Sequence, residues 1–308
     1  MGSGSRNPTH HKEATMTPHV TAGVDGSPES LAAARWAAGE AVLRDVPLHL
    51  VHVEAWPVAP VPLAFTPSTD VWSENLLRDS ADRARKDHPG LEVVTEHARG
   101  RAGDKLTVAA DEADLTVLGS RGVSSVVGFL IGSVSLAVVA SAIQPVVLVR
   151  SANGTQAPSG PATTEQGSGG IVLGLDIYHP CDPLIAFAFG EAARRGGALH
   201  VLHSWALPAS YGYAAITDPG IGVELGRHAS EGLAELLRPW RPRFPGVQVT
   251  EKAVVGVAAG ELLHAAQGAD LVIVGRQRRR PPLGPHLGHV AHAVIHHSAA
   301  PVAVVPYE

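Results

Sequence analysis

The amino-acid sequence predicts an α/β fold class: two tandem doubly wound domains, each a five-stranded parallel sheet with helices on both faces. Three observations point there. The two halves of the 308-residue chain align with each other. Each half alternates short Val/Leu/Ile runs with helical patterns, and runs such as Pro145-Val-Val-Leu-Val149 are apolar throughout, as strands covered on both faces require.

The duplication sets the architecture. HVTAGVDGSPES (19–30) aligns with GIVLGLDIYHP (170–180), placing Asp25 opposite Asp176. LHLVHVEAW (48–56) aligns with LHVLHSWAL (199–207), and ADLTVLGSRG (113–122) with ADLVIVGRQR (269–278). GSVSLAVVASAIQPVVLVR (132–150) aligns with GHVAHAVIHHSAAPVAVVP (288–306). The chain accordingly divides into a tail over 1–18, a first domain over 19–150, a linker over 151–169 and a second domain over 170–308. The tail and the linker lack an apolar period, and their Gly/Ser/His-rich and Ser/Thr/Gly/Pro-rich compositions read as disordered and flexible, respectively.

In the first half the order reads strand 19–25, helix 28–44, strand 47–53, helix 70–88 and strand 91–97. Helix 102–112, strand 114–119, helix 132–143 and strand 145–149 complete it. Ser27-Pro28 is a helix start signal, and Leu31, Ala34, Trp36 and Ala38 supply the packing face of the helix that follows. Gly132-Ser133 opens the last helix. The second half repeats the order from 170 to 306. Strands 146–149 and 302–305 would each leave an apolar edge, so they are expected to pair across the halves.

Composition narrows the function. Hydrophobic residues at 45% and charged residues at 17% fit a globular domain. Residues 19–150 hold 11 Lys/Arg against 16 Asp/Glu, and residues 170–308 hold 11 against 11, so neither half has the basic field of a nucleic-acid binder. No apolar run reaches the roughly 20 residues of a membrane span. Cys181 is the single cysteine, which excludes a disulfide framework and fits a reducing, cytoplasmic setting.

Ligands of open parallel sheets bind beyond the carboxyl ends of strands, at the topological switch point. The residues there are Asp25, Gly26 and Ser27 after the first strand, and Gly119 to Ser125 after the fourth. Gly132-Ser133 follows at the next helix start. Gly119 and Gly122 let backbone amides approach an anion without a Cβ between, and Ser120, Ser124 and Ser125 add hydroxyl donors. A helix N-terminus at Gly132-Ser133 attracts phosphate. From the residues alone, an anion cradle and a tight turn with a helix cap fit equally well. Asp25 likewise fits both a ligand acceptor and a cap of the following helix, and Arg121 fits both an added charge and a solvent-facing side chain.

The spacing Gly119-x-x-Gly122-(nine residues)-Gly132-Ser133, after a buried strand and following Val24-Asp25, resembles the ATP-binding signature of the universal stress protein family. The resemblance covers both halves. It implies an adenine nucleotide alpha hydrolase-like fold, and dimers joined through the last strand, here replaced by an intramolecular pseudo-dimer with a homodimer of tandems left open. It implies ATP, with Mg2+ as an optional companion, as cofactor. Carried over, Gly23 and Asp25 would lie beside the adenosine and Val53 against the adenine. Gly119, Ser120, Arg121, Gly122, Val123, Ser124 and Ser125 would wrap ribose and phosphates. Gly132, Ser133 and Val134 would hold the phosphate tail. In the second copy Gly174, Asp176, Gly275 and Gly288 persist, but Arg278 stands opposite Gly122 and His289 opposite Ser133. That departure puts an equivalent second site in doubt, and Arg276 to Arg280 reads either as a phosphate grip or as a solvated loop.

His289, His292 and His296 follow a helical spacing that reads as a surface stripe before it reads as a zinc site, since no acidic residue lies in 286–297. His52 and His203 hold equivalent positions, which argues for a shared structural role. No nucleophile–base pair, Gly-Lys-Ser/Thr phosphate loop or His-Glu-x-x-His motif is present. The resulting expectation is an ATP-binding, non-enzymatic stress-response regulator with an unidentified protein partner, no nucleic acid and no membrane. A slow ATPase or nucleotide hydrolase and a ligand-free scaffold stay open.

Overall fold

The computed structural model describes residues 17–55, 67–120, 131–151, 169–205, 219–278 and 287–308. The Ser27-Pro28 signal acts as its chemistry suggests. Ser27 Oγ accepts from the Ser30 amide at 3.2 Å, and Pro28 opens helix α1 (Pro28–Arg44). The helix ends on Asp45 in the left-handed conformation (φ 54°), whose amide donates to the carbonyls of Ala41 and Val42. Gly196 holds the corresponding place in the second half with φ 58°.

Around α1 the first half builds β1 (Val20–Gly23), β2 (Leu48–Ala55), α2 (Pro67–Asp87), β3 (Val93–Gly100) and α3 (Ala102–Glu112). It continues with β4 (Leu115–Ser120), α4 (Ser133–Ser141) and β5 (Val146–Arg150). The second half gives β6 (Ile171–Gly174), α5 (Asp182–Arg195), β7 (Ala198–Trp205), α6 (Pro219–Leu237) and β8 (Gln248–Val255). It ends with α7 (Ala258–Ala265), β9 (Leu271–Gln277), α8 (His289–His297) and β10 (Val302–Tyr307). The expected elements therefore form, with one displaced strand. β3 was expected at 91–97 but runs on to Gly100, because it pairs with β2 as far as Ala55↔Gly100. Its outer half, Glu96-His-Ala-Arg99, is polar since it lies at a sheet edge, so hydrophobic periodicity stops short of it.

The ten strands among the described residues join one sheet in the order β3-β2-β1-β4-β5-β10-β9-β6-β7-β8. Each half is parallel. The halves meet where β5 and β10 pair antiparallel, with Val302 opposite Leu148, Ala303 opposite Val147 and Val304 opposite Val146. This is the pairing expected from the two apolar edges, and it relates the halves by a pseudo-two-fold axis. Consecutive β5 residues feed opposite faces: Val147 and Val149 belong to the core on the side of α1, α2, α5 and α6, while Val146 and Leu148 belong to the core on the side of α3, α4, α7 and α8. Covering both faces explains why the run is apolar at every position.

A buried ionic cluster crosses the seam beside this pairing. Glu40 and Arg44 on α1 meet Glu191 and Arg195 on α5, each arginine bonding both carboxylates. Both glutamate side chains are fully buried, and the arginines are 7% and 5% exposed. Two further ties run between the halves. Arg150 donates to the carbonyls of Ile295 (3.0 Å) and His296 at the end of α8, and Arg276 donates to Ala140 (2.9 Å) and Ala142 at the end of α4. Each places a cation on a helix C-terminus, where free carbonyls and the dipole favour it.

Candidate functional site

The strand order reverses between β1 and β4 in the first half and between β6 and β9 in the second, and a crevice opens at each reversal. The first has a volume of about 190 Å³. Of the residues expected there, it brings together Gly23, Asp25, Val53, Gly119, Gly132, Ser133 and Val134. Arg121, Gly122, Val123, Ser124 and Ser125 lie outside the described residues. Ser120 goes elsewhere. Its side chain is buried and its hydroxyl donates to the Val149 carbonyl at 3.2 Å, so that hydroxyl braces the sheet and does not face the crevice.

Local folding explains how the lining is held. Asp25 Oδ1 accepts from both the amide (2.9 Å) and the hydroxyl (2.5 Å) of Ser27, while Ser30 Oγ accepts from the Asp25 amide at 3.2 Å. The aspartate thus organises the turn into α1 and lies at the crevice rim, while the cap of α1 is Ser27 and not Asp25. Ser135 Oγ donates to the Gly119 carbonyl at 2.8 Å, which fixes α4 against the end of β4. Gly132 is the N-cap of α4 and offers no side-chain acceptor, so the first amides of that helix are not capped by it.

The glycines have a cause that spacing alone did not suggest. A Cβ on Gly119 would lie 2.6 Å from the Glu29 carbonyl carbon and 2.8 Å from the Ser30 amide nitrogen, both rigid backbone of α1. Gly119 is therefore required by the close approach of β4 to the first turn of α1. A Cβ on Gly23 would lie 2.8 Å from Leu118. Both residues shape the crevice by letting elements close in behind it.

The second crevice is larger, about 850 Å³, and includes Gly174, Asp176 and Gly275 from the expected set. Gly288 is the N-cap of α8 and is not among the crevice residues; a Cβ there would meet nothing within 4 Å. Asp176 accepts from the Tyr178 amide (3.0 Å) and lies 2.9 Å from His179 Nδ1. His289 takes the place of Ser133 in the lining. The Arg276 phosphate grip is not what the structure shows: that side chain is buried and engaged with α4 of the other half. Arg279 and Arg280 lie outside the described residues.

His52 and His203 share a structural contact. His52 Nδ1 lies 2.7 Å from the Val24 carbonyl and His203 Nδ1 lies 3.1 Å from the Leu175 carbonyl, each tying the second strand of its half to the end of the first. On α8 the rings of His292 and His296 lie 4.3 Å apart, and burial, then the neighbouring His296 and His297, hold the His292 imidazole below its usual range. Among the described residues the group with metal-ligating proximity is instead Glu54, Asp70 and His97. Arg99 already lies against both carboxylates there, 3.2 Å from Glu54 and in contact with Asp70. Sequence reasoning missed this group because its members sit on three separate elements. It also missed the Glu40–Arg195 cluster, although the Glu-x-x-x-Arg repeated at equivalent positions of the two halves was a readable signal.

Fold and crevices together define the class: a tandem, Rossmann-like α/β protein with a crevice at the switch point of each half. The model of the universal stress protein family matches residues 16–150 and again residues 170–306. A universal stress protein of Mycobacterium tuberculosis is 32% identical over 298 residues, covering 92% of this chain and 96% of its own. One from Mycolicibacterium smegmatis is 32% identical over 306 residues, covering 93% and 96%. The crystal structure of a universal stress protein from Archaeoglobus fulgidus superposes with a TM-score of 0.68 at 18% identity, covering 94% of this chain and 98% of that one, and so shares the fold. The chain belongs to the universal stress protein family, as two tandem copies. Among the described residues no helix is long and apolar enough to cross a membrane.

Proposed function

We propose that this protein is a cytoplasmic ATP-binding stress-response regulator, in which nucleotide held by the first half sets the conformation that a protein partner reads. One observation carries the reading. Seven of the residues expected to hold the nucleotide converge on one crevice at the β1/β4 switch point, next to an α4 start that no side chain of its own N-cap closes. The described lining includes the carboxylates of Asp25 and Glu29 and no lysine or arginine. A triphosphate would therefore arrive with Mg2+, whose preferred ligands are such oxygens and phosphate. The two fused halves stand in for the subunits of a dimer.

Calorimetry of the full chain with ATP and Mg2+ tests this. Micromolar-range binding in the first half is expected, abolished by Gly122→Val and weakened by chelation of Mg2+. Folded protein with no detectable ATP binding would remove the proposal. Hydrolysis is a second reading, favoured by the position of Asp25 at the rim. Turnover that Asp25→Ala leaves unchanged would count against it.

A further inference from the structure

The carboxyl end of β2 carries a group of side chains that neither crevice uses. Leu48 and Leu50 of β2 and Val93 of β3 belong to the core on the side of α1 and α2, whereas Val51 and Val53 turn to the side of α3. Side chains alternate along a strand. Glu54 on β2, and His97 and Arg99 on β3, therefore share the α1 and α2 side, away from the Val53 wall of the first crevice. The first turn of α2 adds Asp70. One carboxylate oxygen from Glu54, one from Asp70 and one ring nitrogen of His97 lie within 4.8 Å of one another.

Arg99 accounts for only part of this arrangement. Its guanidinium donates to Glu54 at 3.2 Å and to Asp70, so one positive charge faces two carboxylates. His97 gains no bond from it. The Nε2 of His97 is buried, lies 3.5 Å from Glu54 Oε2 and has no hydrogen-bond partner, whereas buried polar atoms are paired in the large majority of cases. A divalent cation satisfies all three donors at once. Tetrahedral zinc with ligands at roughly 2.0–2.1 Å holds its donors about 3.4 Å apart, and Glu54 Oε2 and His97 Nε2 already stand near that spacing. Asp70 has to close the remaining gap, and Arg99, 44% exposed, can withdraw into solvent.

The donor set also selects the ion. One imidazole with two carboxylates suits zinc, whereas Mg2+ and Ca2+ take oxygen ligands. The second half has no counterpart: Trp205 stands where the first half has Glu54, and its β8 neighbours at the matching register are Ala253 and Val255.

We propose that Glu54, Asp70 and His97 bind one Zn2+ ion, with water as the fourth ligand and the Arg99 guanidinium displaced. The ion joins β2, β3 and the start of α2, three elements that meet at the outer edge of the first half. The site is separate from the nucleotide crevice, and its test uses no nucleotide.

Calorimetry of the full chain with Zn2+ in excess Mg2+ reads the affinity, and the visible absorption of Co2+ in place of zinc reads the coordination geometry. A Zn2+ site that Mg2+ does not fill is expected, with a tetrahedral Co2+ spectrum. His97→Gln should weaken it about tenfold or more. Glu54→Gln, which keeps the side-chain shape, should do the same and carries the test should His97→Gln not fold. Arg99→Met should tighten zinc severalfold, because no ion pair then has to be broken. Zn2+ should raise the melting temperature of the unaltered chain and leave that of the weakened variants in place. The proposal fails if no Zn2+ binds, or if Arg99→Met weakens binding. It fails equally if the folded Gln variants bind zinc as the unaltered chain does, which would put the ion on other groups such as the α8 histidines.

Discussion

Glu40 and Arg44 lie one turn apart on α1, and Glu191 and Arg195 lie one turn apart on α5, so the seam between the halves is built from the same Glu/Arg pair used twice. The crevices of the same two halves show the opposite behaviour. Where the first is lined by Ser133, the second is lined by His289, and Trp205 lines the second whereas its counterpart Glu54 does not line the first. The seam is constrained by mutual burial, because a change on one side leaves an ionised group on the other without a partner. A crevice answers only to its own ligand, and each copy is free to alter it. Symmetry at the seam with divergence at the crevices is what burial of the shared cluster and the lack of such a constraint at the crevices produce.

The sharpest way to break this comparison is at the seam. Glu40→Ala should destabilise the whole chain by roughly 3–5 kcal/mol in urea unfolding, since both arginines lose a buried carboxylate. Replacing all four residues with leucine should recover most of that loss. A single-site effect under about 1 kcal/mol would mean that the cluster is hydrated and that the seam rests on β5–β10 pairing alone.

Next come the glycines. Gly119→Ala should cost about 1–3 kcal/mol, because its Cβ meets the backbone of α1 and cannot be accommodated by a rotamer change. Gly288→Ser should be neutral or stabilising by a few tenths of a kcal/mol, since its Cβ faces open space and serine is a slightly better N-cap. Equal losses at the two positions would contradict the account of why glycine is present at each.

The aspartates separate the crevices themselves. Asp25→Ala should weaken ATP roughly tenfold in calorimetry, whereas Asp176→Ala should leave ATP affinity as it is. Equal sensitivity would mean that both halves bind the same nucleotide.

The smallest effect concerns pH. Burial, and then the neighbouring His19, hold the His49 imidazole below the usual 6.5, and His292 is lowered in the same sense. A histidine with a depressed folded pKa takes up its proton in the unfolded chain first. Stability should therefore be level above pH 6.5 and decline as pH falls below it, until the folded rings titrate as well. Thermal unfolding between pH 7.5 and 5 would show a small downward drift, reduced in His49→Gln.

Much of this was written along the chain. Apolar runs, the Ser27-Pro28 cap and the internal alignment determined the two doubly wound halves, because strand burial and helix capping are local requirements that leave local patterns. The β5–β10 junction was legible for the same reason: an edge strand that is apolar at every position has to be covered. Asp25, Gly119, Gly132 and Ser133 could be named from strand ends and glycine spacing, whereas Gly23, Val53 and Val134 were named only through the family resemblance. What spacing left open was the purpose of each. Gly119 makes room for α1, Ser120 braces β5, Arg276 clamps the far half, and His203 ties β7 to the end of β6. Each of these depends on which distant backbone or side chain lies within a few ångströms, and only the folded chain brings those groups together.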